Sequence, residues 1–247
     1  MVPSQLICRP EQDLPVAVLT VMGALDLFTS DALGQAVRNC LSHQPEAVLL
    51  DIAGLQVRDP RGLVALSSVV DQTADWPAVP IVLCGADAAT ARTVAESPDC
   101  TDLATAPSCV TALANTDEEP EPHRIRIRLR PVPDACRQAR QVVTQACATW
   151  RRRESTATAT LVATELVANV VRHAHTTMEL TLGLRRGRLC LTVRDGSRRL
   201  PRTADPSLAD AGGRGLHLVR ALTESWGVLP ITDGKVVWAR FGTSLAV

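Results

Sequence analysis

The run Thr164-Glu165-Leu166-Val167-Ala168-Asn169-Val170-Val171-Arg172-His173-Ala174 places a carboxylate, an amide and an imidazole at intervals of four along a helix-forming segment. Residues four apart in an α-helix project from neighbouring turns of one face, so Glu165, Asn169 and His173 are expected to line up. A carboxylate there can take a proton from an attacking hydroxyl. One turn on, an amide oxygen can complete the shell of a Mg²⁺ ion that bridges phosphates. Taken alone, Glu165 and Asn169 equally suit a solvated helix surface, and His173 at the helix end suits capping carbonyls better than chemistry.

Two later segments give this helix a context. Val193-Arg194-Asp195-Gly196-Ser197 ends an apolar strand. An Asp at that junction can accept a hydrogen bond from an exocyclic amino group such as that of adenine, and Gly196 lets a base approach the backbone. By itself a D-G-S is equally a plain turn. In Ala211-Gly212-Gly213-Arg214-Gly215-Leu216-His217-Leu218-Val219 three glycines precede an amphipathic helix. The unpaired N–H groups of a helix start suit a phosphate chain, and Arg214 would add a cation. The loop follows neither the Walker nor the dinucleotide pattern.

Around these segments the back half reads as a strand near 125–129, long helices over 134–150 and 155–172, and a hairpin of 179–184 with 189–194. A helix over 215–225 and closing strands over 227–231 and 236–241 complete it. Helices segregated from antiparallel strands make an α/β sandwich. The front half alternates strands over 16–21, 47–52 and 79–83 with helices over 30–41, 62–74 and 88–96, which predicts a β-sheet covered by helices. Between them, N-T-D-E-E-P-E-P-H-R (115–124) is polar, acidic and twice interrupted by proline, and reads as an extended linker. The expected organisation is a front domain over 1–114, a linker over 115–124 and a back domain over 125–247.

Composition agrees with two α/β cores, since 46% of the 247 residues are hydrophobic but only 2% are aromatic, leaving Ala, Val, Leu and Ile to fill them. The zero net charge hides an asymmetry. Residues 1–115 hold 5 basic and 13 acidic side chains, and 125–247 hold 20 and 9. Opposite charges suit docking of the front half on the back half, within one chain or between two copies, and the Arg-rich half suits a polyanion such as a nucleotide. Nucleic acid is not the expected partner, because the arginines are spread over several elements without interleaved aromatic residues. The eight cysteines form no C-x-x-C pair and read as small buried hydrophobes. There is neither a leader-like segment nor an apolar span of about 20 residues, so a cytoplasmic protein with no membrane partner is expected.

In order and spacing, the three back-half segments resemble the N, G1 and G2 boxes of the Bergerat ATP-binding fold shared by gyrases, histidine kinases and anti-sigma-factor serine kinases. E-L-V-A-N-V-V-R-H-A, G-G-R-G-L-H-L-V and W-G-V (226–228) point to the anti-sigma serine kinase branch. The resemblance implies ATP and Mg²⁺ as cofactors. It makes Glu165 the general base, Asn169 the Mg²⁺ ligand, Asp195 the adenine-recognising acid, and Gly213 and Gly215 the phosphate-loop glycines, with Gly196 and Arg214 completing the cofactor site in the roles read above. Two departures stand out: Ser197 replaces the usual second glycine of G1, and Val236 in G-K-V-V-W replaces a common threonine.

Residues 14–114 resemble the STAS domain of anti-sigma-factor antagonists, through V-L-L-D-I-A-G-L-Q-V-R-D-P-R-G-L (48–63). Asp59 suits an N-cap, Pro60 a first helical position and Gly62 tight packing on the sheet. Arg61 stands where phosphorylatable members carry the acceptor serine of D-S-S-G-L, so no phosphate can be accepted there. Ser67 and Ser68 read as ordinary helix serines. The resemblances together imply a partner-switching regulator that transfers the γ-phosphoryl group of Mg·ATP to a serine of a separate STAS-type antagonist. The alternative, favoured by Ser197 and Val236, is a non-catalytic nucleotide-dependent module that sequesters a sigma factor or other regulator.

Overall fold

The computed structural model describes residues 5–13, 16–101, 103–114, 123–185, 187–201 and 214–242, the side chains of 11–13, 185 and 214 excepted. The chain forms two compact units, Met1–Glu118 and Glu119–Val247. Most of the acidic Pro-containing segment, 115–122, lies outside the described residues.

In the front unit, β3 (Ala47–Val57) opens with four consecutive buried residues, Ala47 to Leu50, the unbroken apolar run of a strand covered on both faces. It lies at the centre of the sheet β1-β2-β3-β4-β5. β2 (Val16–Leu25), β4 (Ile81–Cys84) and β5 (Ala104–Ala106) run parallel to it, and β1 (Leu6–Asp13) is added antiparallel on β2. Val48 and Leu50 share a core with Leu33 and Val37 of α1 (Ser30–Leu41) and with Leu66 and Val69 of α2 (Val64–Thr73). Leu49 turns to the other face, in a cluster with Ala112 of α4 (Cys109–Ala114). α3 (Ala88–Glu96) is started by Asp87, whose carboxylate accepts from the Thr90 amide at 2.7 Å.

The back unit is a single antiparallel sheet, β6-β7-β8-β10-β9, with its helices on one face. The strands are β6 (His123–Leu129), β7 (Met178–Arg185), β8 (Arg188–Asp195), β9 (Ser225–Ile231) and β10 (Gly234–Arg240). Alternation sends Leu180, Leu182, Leu191, Val193, Val237 and Ala239 into one core with the helices α5 (Asp134–Thr149), α6 (Thr156–Asn169) and α7 (Arg214–Leu222). The buried faces of α5 and α6 are rich in small residues, Ala135, Ala139, Ala146, Ala159 and Ala163, which suits close packing of two helices without aromatic bulk. The α/β fold class read from the sequence is the observed one in both units.

The largest departure is at the end of α6, expected to continue to Arg172. The α-helix stops at Asn169 and Val170–Ala174 form a π turn, closed by a 2.9 Å bond from the His175 amide to the Val170 carbonyl. A π turn takes more residues than an α turn, so His173 leaves the register of Glu165 and Asn169 and is exposed. A second difference is that the front helix expected over 62–74 is a 3-10 turn over Pro60–Leu63 followed by α2. β1, β5 and α4 complete the front sheet beyond the expected elements.

Four cysteines are buried, Cys40, Cys84, Cys100 and Cys147, and all eight are free thiols. Burial pushes the thiols of Cys40 and Cys84 up, to about 11 and about 12. Among the described residues no helix is long and apolar enough to cross a membrane.

Leu191 is fully buried at the centre of the back core. Leu191→Ala should lower unfolding stability by about 2–5 kcal/mol, the cost of lost transfer energy plus a residual cavity. Urea denaturation of the full chain measures it, and a loss below about 1 kcal/mol would contradict the packing described.

Candidate functional site

The ends of α6 and β8 and the start of α7 carry the residues singled out in the sequence. The last α-helical turn of α6 presents Glu165 and Asn169, one turn apart. α7 approaches them at its first residues. A Cβ placed on Gly215 would lie 2.6 Å from Glu165 Oε2 and 3.8 Å from Asn169 Oδ1, so no side chain fits there unless Glu165 moves. The structure therefore brings Glu165, Asn169 and Gly215 together. Gly212 and Gly213 lie outside the described residues, and Arg214 opens α7 with an undescribed side chain.

Glu165 is a quarter exposed, and the Arg172 guanidinium on the π turn lies 3.7 Å from its Oε2. Arg172 Nε also donates to the Ala168 carbonyl at 3.3 Å. The π turn that removes His173 from the face thus sets a cation beside the carboxylate.

The second group forms at the end of β8. Asp195 accepts on Oδ1 from the Ser197 amide at 2.8 Å and from Lys235 Nζ at 2.8 Å. Lys235 Nζ also donates to the Ser197 carbonyl at 3.0 Å. Both ends of this ion pair are shielded, with side-chain exposures of 8% for Lys235 and 1% for Asp195. The pairing is set by register. Lys235 is the cross-strand partner of Asp195 in the β8–β10 ladder, so their side chains leave the sheet on the same, helix-covered face. Val236, one residue on, belongs to the opposite face, opposite Arg194, and is buried. The residue of G-K-V-V-W that meets Asp195 is therefore Lys235, not Val236.

Gly196 follows Asp195 and donates its amide to Thr176 Oγ1 at 3.0 Å. Thr176 comes directly after His175, which takes a left-handed conformation (φ 55°) at the end of the π turn. The helix carrying Glu165 and the turn carrying Asp195 are in this way tied by one hydroxyl. Ser197, which stands in place of the usual second glycine, helps to build the turn through its own amide and carbonyl.

In the front unit, Asp59 caps the Pro60–Leu63 turn by accepting from the Arg61 amide at 3.0 Å, and the Arg61 guanidinium folds back onto the same carboxylate at 2.8 Å. Arg61's side-chain and backbone hydrogen bonds hold the Asp59 carboxyl below its ordinary value. A Cβ on Gly62 would crowd the Asp26 backbone at 3.0 Å, so this turn sits directly on the end of β2.

Sequence reasoning missed Lys235, Thr176 and Arg172. A signal for Lys235 existed: it is the only lysine of the chain and directly precedes the apolar run Val236-Val237-Trp238-Ala239. A lone cation at a buried strand position calls for a buried anion. Thr176 and Arg172 depend on the π turn, for which the sequence offers no periodicity.

The histidine kinase-like ATPase domain family matches residues 129–241. No curated protein sequence matches the chain. Among solved structures, the chain is similar to an anti-sigma-factor antagonist from Mycobacterium paratuberculosis, at 22% identity and a TM-score of 0.38, covering 44% of this chain and 92% of that one. An RsbS variant from Moorella thermoacetica is similar at 21% identity and a TM-score of 0.37, over 43% of this chain and 92% of that one. The RsbU and RsbW domains of a Mycobacterium tuberculosis protein are similar at 17% identity and a TM-score of 0.37, over 48% of this chain and 31% of that one.

Removing one member of a buried ion pair strands the other in a dry site, at a cost of about 3–5 kcal/mol, while replacing both with apolar groups is often neutral. Asp195→Asn should therefore unfold at distinctly lower urea concentration than the parent, and adding Lys235→Met should recover most of the loss. A double-variant cycle on the full chain measures this coupling. Additive losses would show that the pair does not stabilise the fold.

Proposed function

We propose, from the premise that residues 129–241 are a histidine kinase-like ATPase domain, that the back unit binds Mg·ATP and passes a phosphoryl group to a serine of a separate antagonist protein. The observation that carries this reading is the convergence of Glu165, Asn169 and Gly215. A carboxylate, an amide oxygen and the N–H groups of a helix start are the kind of donor set that a phosphate chain with its metal needs, and Gly215, lacking a side chain, lets that helix start come up to the other two.

The residues present fit the nucleotide. Gly215 adds no side-chain atoms between the second residue of α7 and Glu165, and the Lys235 and Ser197 contacts of Asp195 fall on Oδ1 rather than Oδ2. Asn169 would hold Mg²⁺, Gly213, Arg214 and Gly215 the phosphates, and Asp195 with Gly196 the base. Bound Mg·ATP would supply the electrophilic γ-phosphoryl group and part of its charge neutralisation. Glu165 would hold the proton of the attacking seryl hydroxyl, and Arg172, 3.7 Å away, would fix the carboxylate's orientation.

The front unit is proposed to be an antagonist-like STAS domain that lacks a phosphate acceptor, because Arg61 occupies that position with its side chain tied to Asp59. Its acidic surface and the basic back unit suit docking on each other or on like-charged partner proteins, and the partner-switching role places the protein in the cytoplasm. A second reading is favoured by the same Arg172: an ion pair on Glu165 Oε2 competes for the oxygen that would take the proton. In that reading nucleotide occupancy only sets the shape of a surface that sequesters a sigma factor.

Two measurements on the full chain separate these readings. Glu165→Gln should keep Mg·ATP affinity by calorimetry but lower phosphoryl transfer to candidate antagonist proteins by at least about a hundredfold, since it acts only in the transition state. Asn169→Ala should weaken Mg²⁺-dependent binding itself. Binding without transfer by the parent protein selects the sequestering module, and absence of Mg·ATP binding overturns both readings. In the same labelling experiment no phosphate should appear within residues 59–63, as mass spectrometry of the tryptic peptides will report.

A further inference from the structure

The pair Lys235–Asp195 has a consequence for which base the site accepts. A carboxylate oxygen has two lone pairs in its plane. On Asp195, Oδ1 has both filled, by Lys235 Nζ and by the Ser197 amide, each at 2.8 Å. The ammonium is held in place by its second bond, to the Ser197 carbonyl at 3.0 Å, and by burial of both side chains. This arrangement does not exchange freely with water, and a ligand cannot displace the ammonium without stranding a buried charge. Asp195 therefore offers an incoming base only Oδ2.

We infer that Lys235 is a specificity-determining residue of the nucleotide site, reducing Asp195 to a single acceptor so that the site takes a base edge with one donor group and refuses one with two adjacent donors. The inference rests on the proposed reading that Asp195 receives the base. Adenine presents one amino group beside an acceptor nitrogen, whereas guanine presents a ring N–H and an amino group side by side, which pair with a carboxylate only through both oxygens. With Oδ1 filled, one guanine donor is left buried and unpaired, a loss of about ten- to a hundredfold in affinity. Without the lysine, Oδ1 regains a lone pair and the penalty is relieved.

The test is a comparison of Mg·ATP and Mg·GTP binding by calorimetry on the full chain. The parent protein should prefer ATP by at least about tenfold, and Lys235→Met should reduce that preference by about tenfold or more, mainly through gained GTP affinity. Lys235→Thr, whose small side chain leaves room for a displaceable water on Oδ1, carries the same expectation should the methionine variant fail to fold. A further readout needs no variant. Because the chain has one lysine, ¹⁵N-lysine labelling gives one side-chain ammonium signal. Saturating Mg·ATP should shift that signal and leave it observable.

An unchanged ATP-to-GTP ratio in the folded variants overturns the inference while leaving nucleotide binding intact. So does an ammonium signal that ignores bound ATP, or a parent protein that binds both nucleotides equally. A parent protein that binds neither nucleotide overturns the parent reading, and the role of Lys235 falls with it.

Discussion

A charge pair that water barely reaches fixes the end of the back sheet. Moving an ammonium and a carboxylate into a dry site costs several kcal/mol each, and their attraction offsets this only when geometry is close and the remaining polar atoms are satisfied. Lys235 and Asp195 meet both conditions, through a 2.8 Å contact and through the Ser197 amide and carbonyl. The pair also constrains register. A one-residue slip of β10 on β8 would send Lys235 to the opposite face and leave Asp195 unpaired. The ion pair therefore acts against misregistered alternatives, and the turn after Asp195 inherits its shape from it.

Much of the fold was legible because hydrophobic period and punctuation agreed. The helices over 30–41 and 88–96 were read to the residue, and every strand of the back sheet was located. What was not legible is instructive. β1, L-I-C-R-P-E-Q-D, alternates poorly and lies at a sheet edge, where only one side must be apolar. The π turn leaves no trace in periodicity, and it ends next to Thr176, whose hydroxyl accepts from the Gly196 amide. Within the candidate site, the clustering of Glu165 and Asn169 followed from helical spacing alone. The contact across the sheet, Lys235 with Asp195, required knowing that β10 pairs with β8 and in which register.

At Asp59 in the front unit the local chemistry runs the other way. The cap, the proline after it and the close packing of Gly62 on the Asp26 backbone all follow from short-range rules and are present. Arg61 alters what they display. Its guanidinium closes on Asp59 in an exposed two-point contact, so that the cap is internally neutralised where a free carboxylate and a hydroxyl would otherwise face solvent. An exposed pair of this kind contributes little to stability. Its effect lies in the surface it presents: a fixed, charge-balanced turn that a change of phosphorylation state cannot alter.

Stability and recognition share one side chain in the back unit, but they divide its oxygens. Oδ1 of Asp195 serves the fold, through Lys235 and Ser197, and in the proposed reading Oδ2 is the oxygen that meets the ligand. A substitution at Asp195 therefore changes both at once, since it strands the lysine and removes the acceptor together. The two roles separate only across the sheet, at Lys235. There the charge can be removed while the Asp195 oxygens stay in place, so the register that hid this residue from sequence reading also makes it the position at which the proposed roles in fold and recognition can be examined separately.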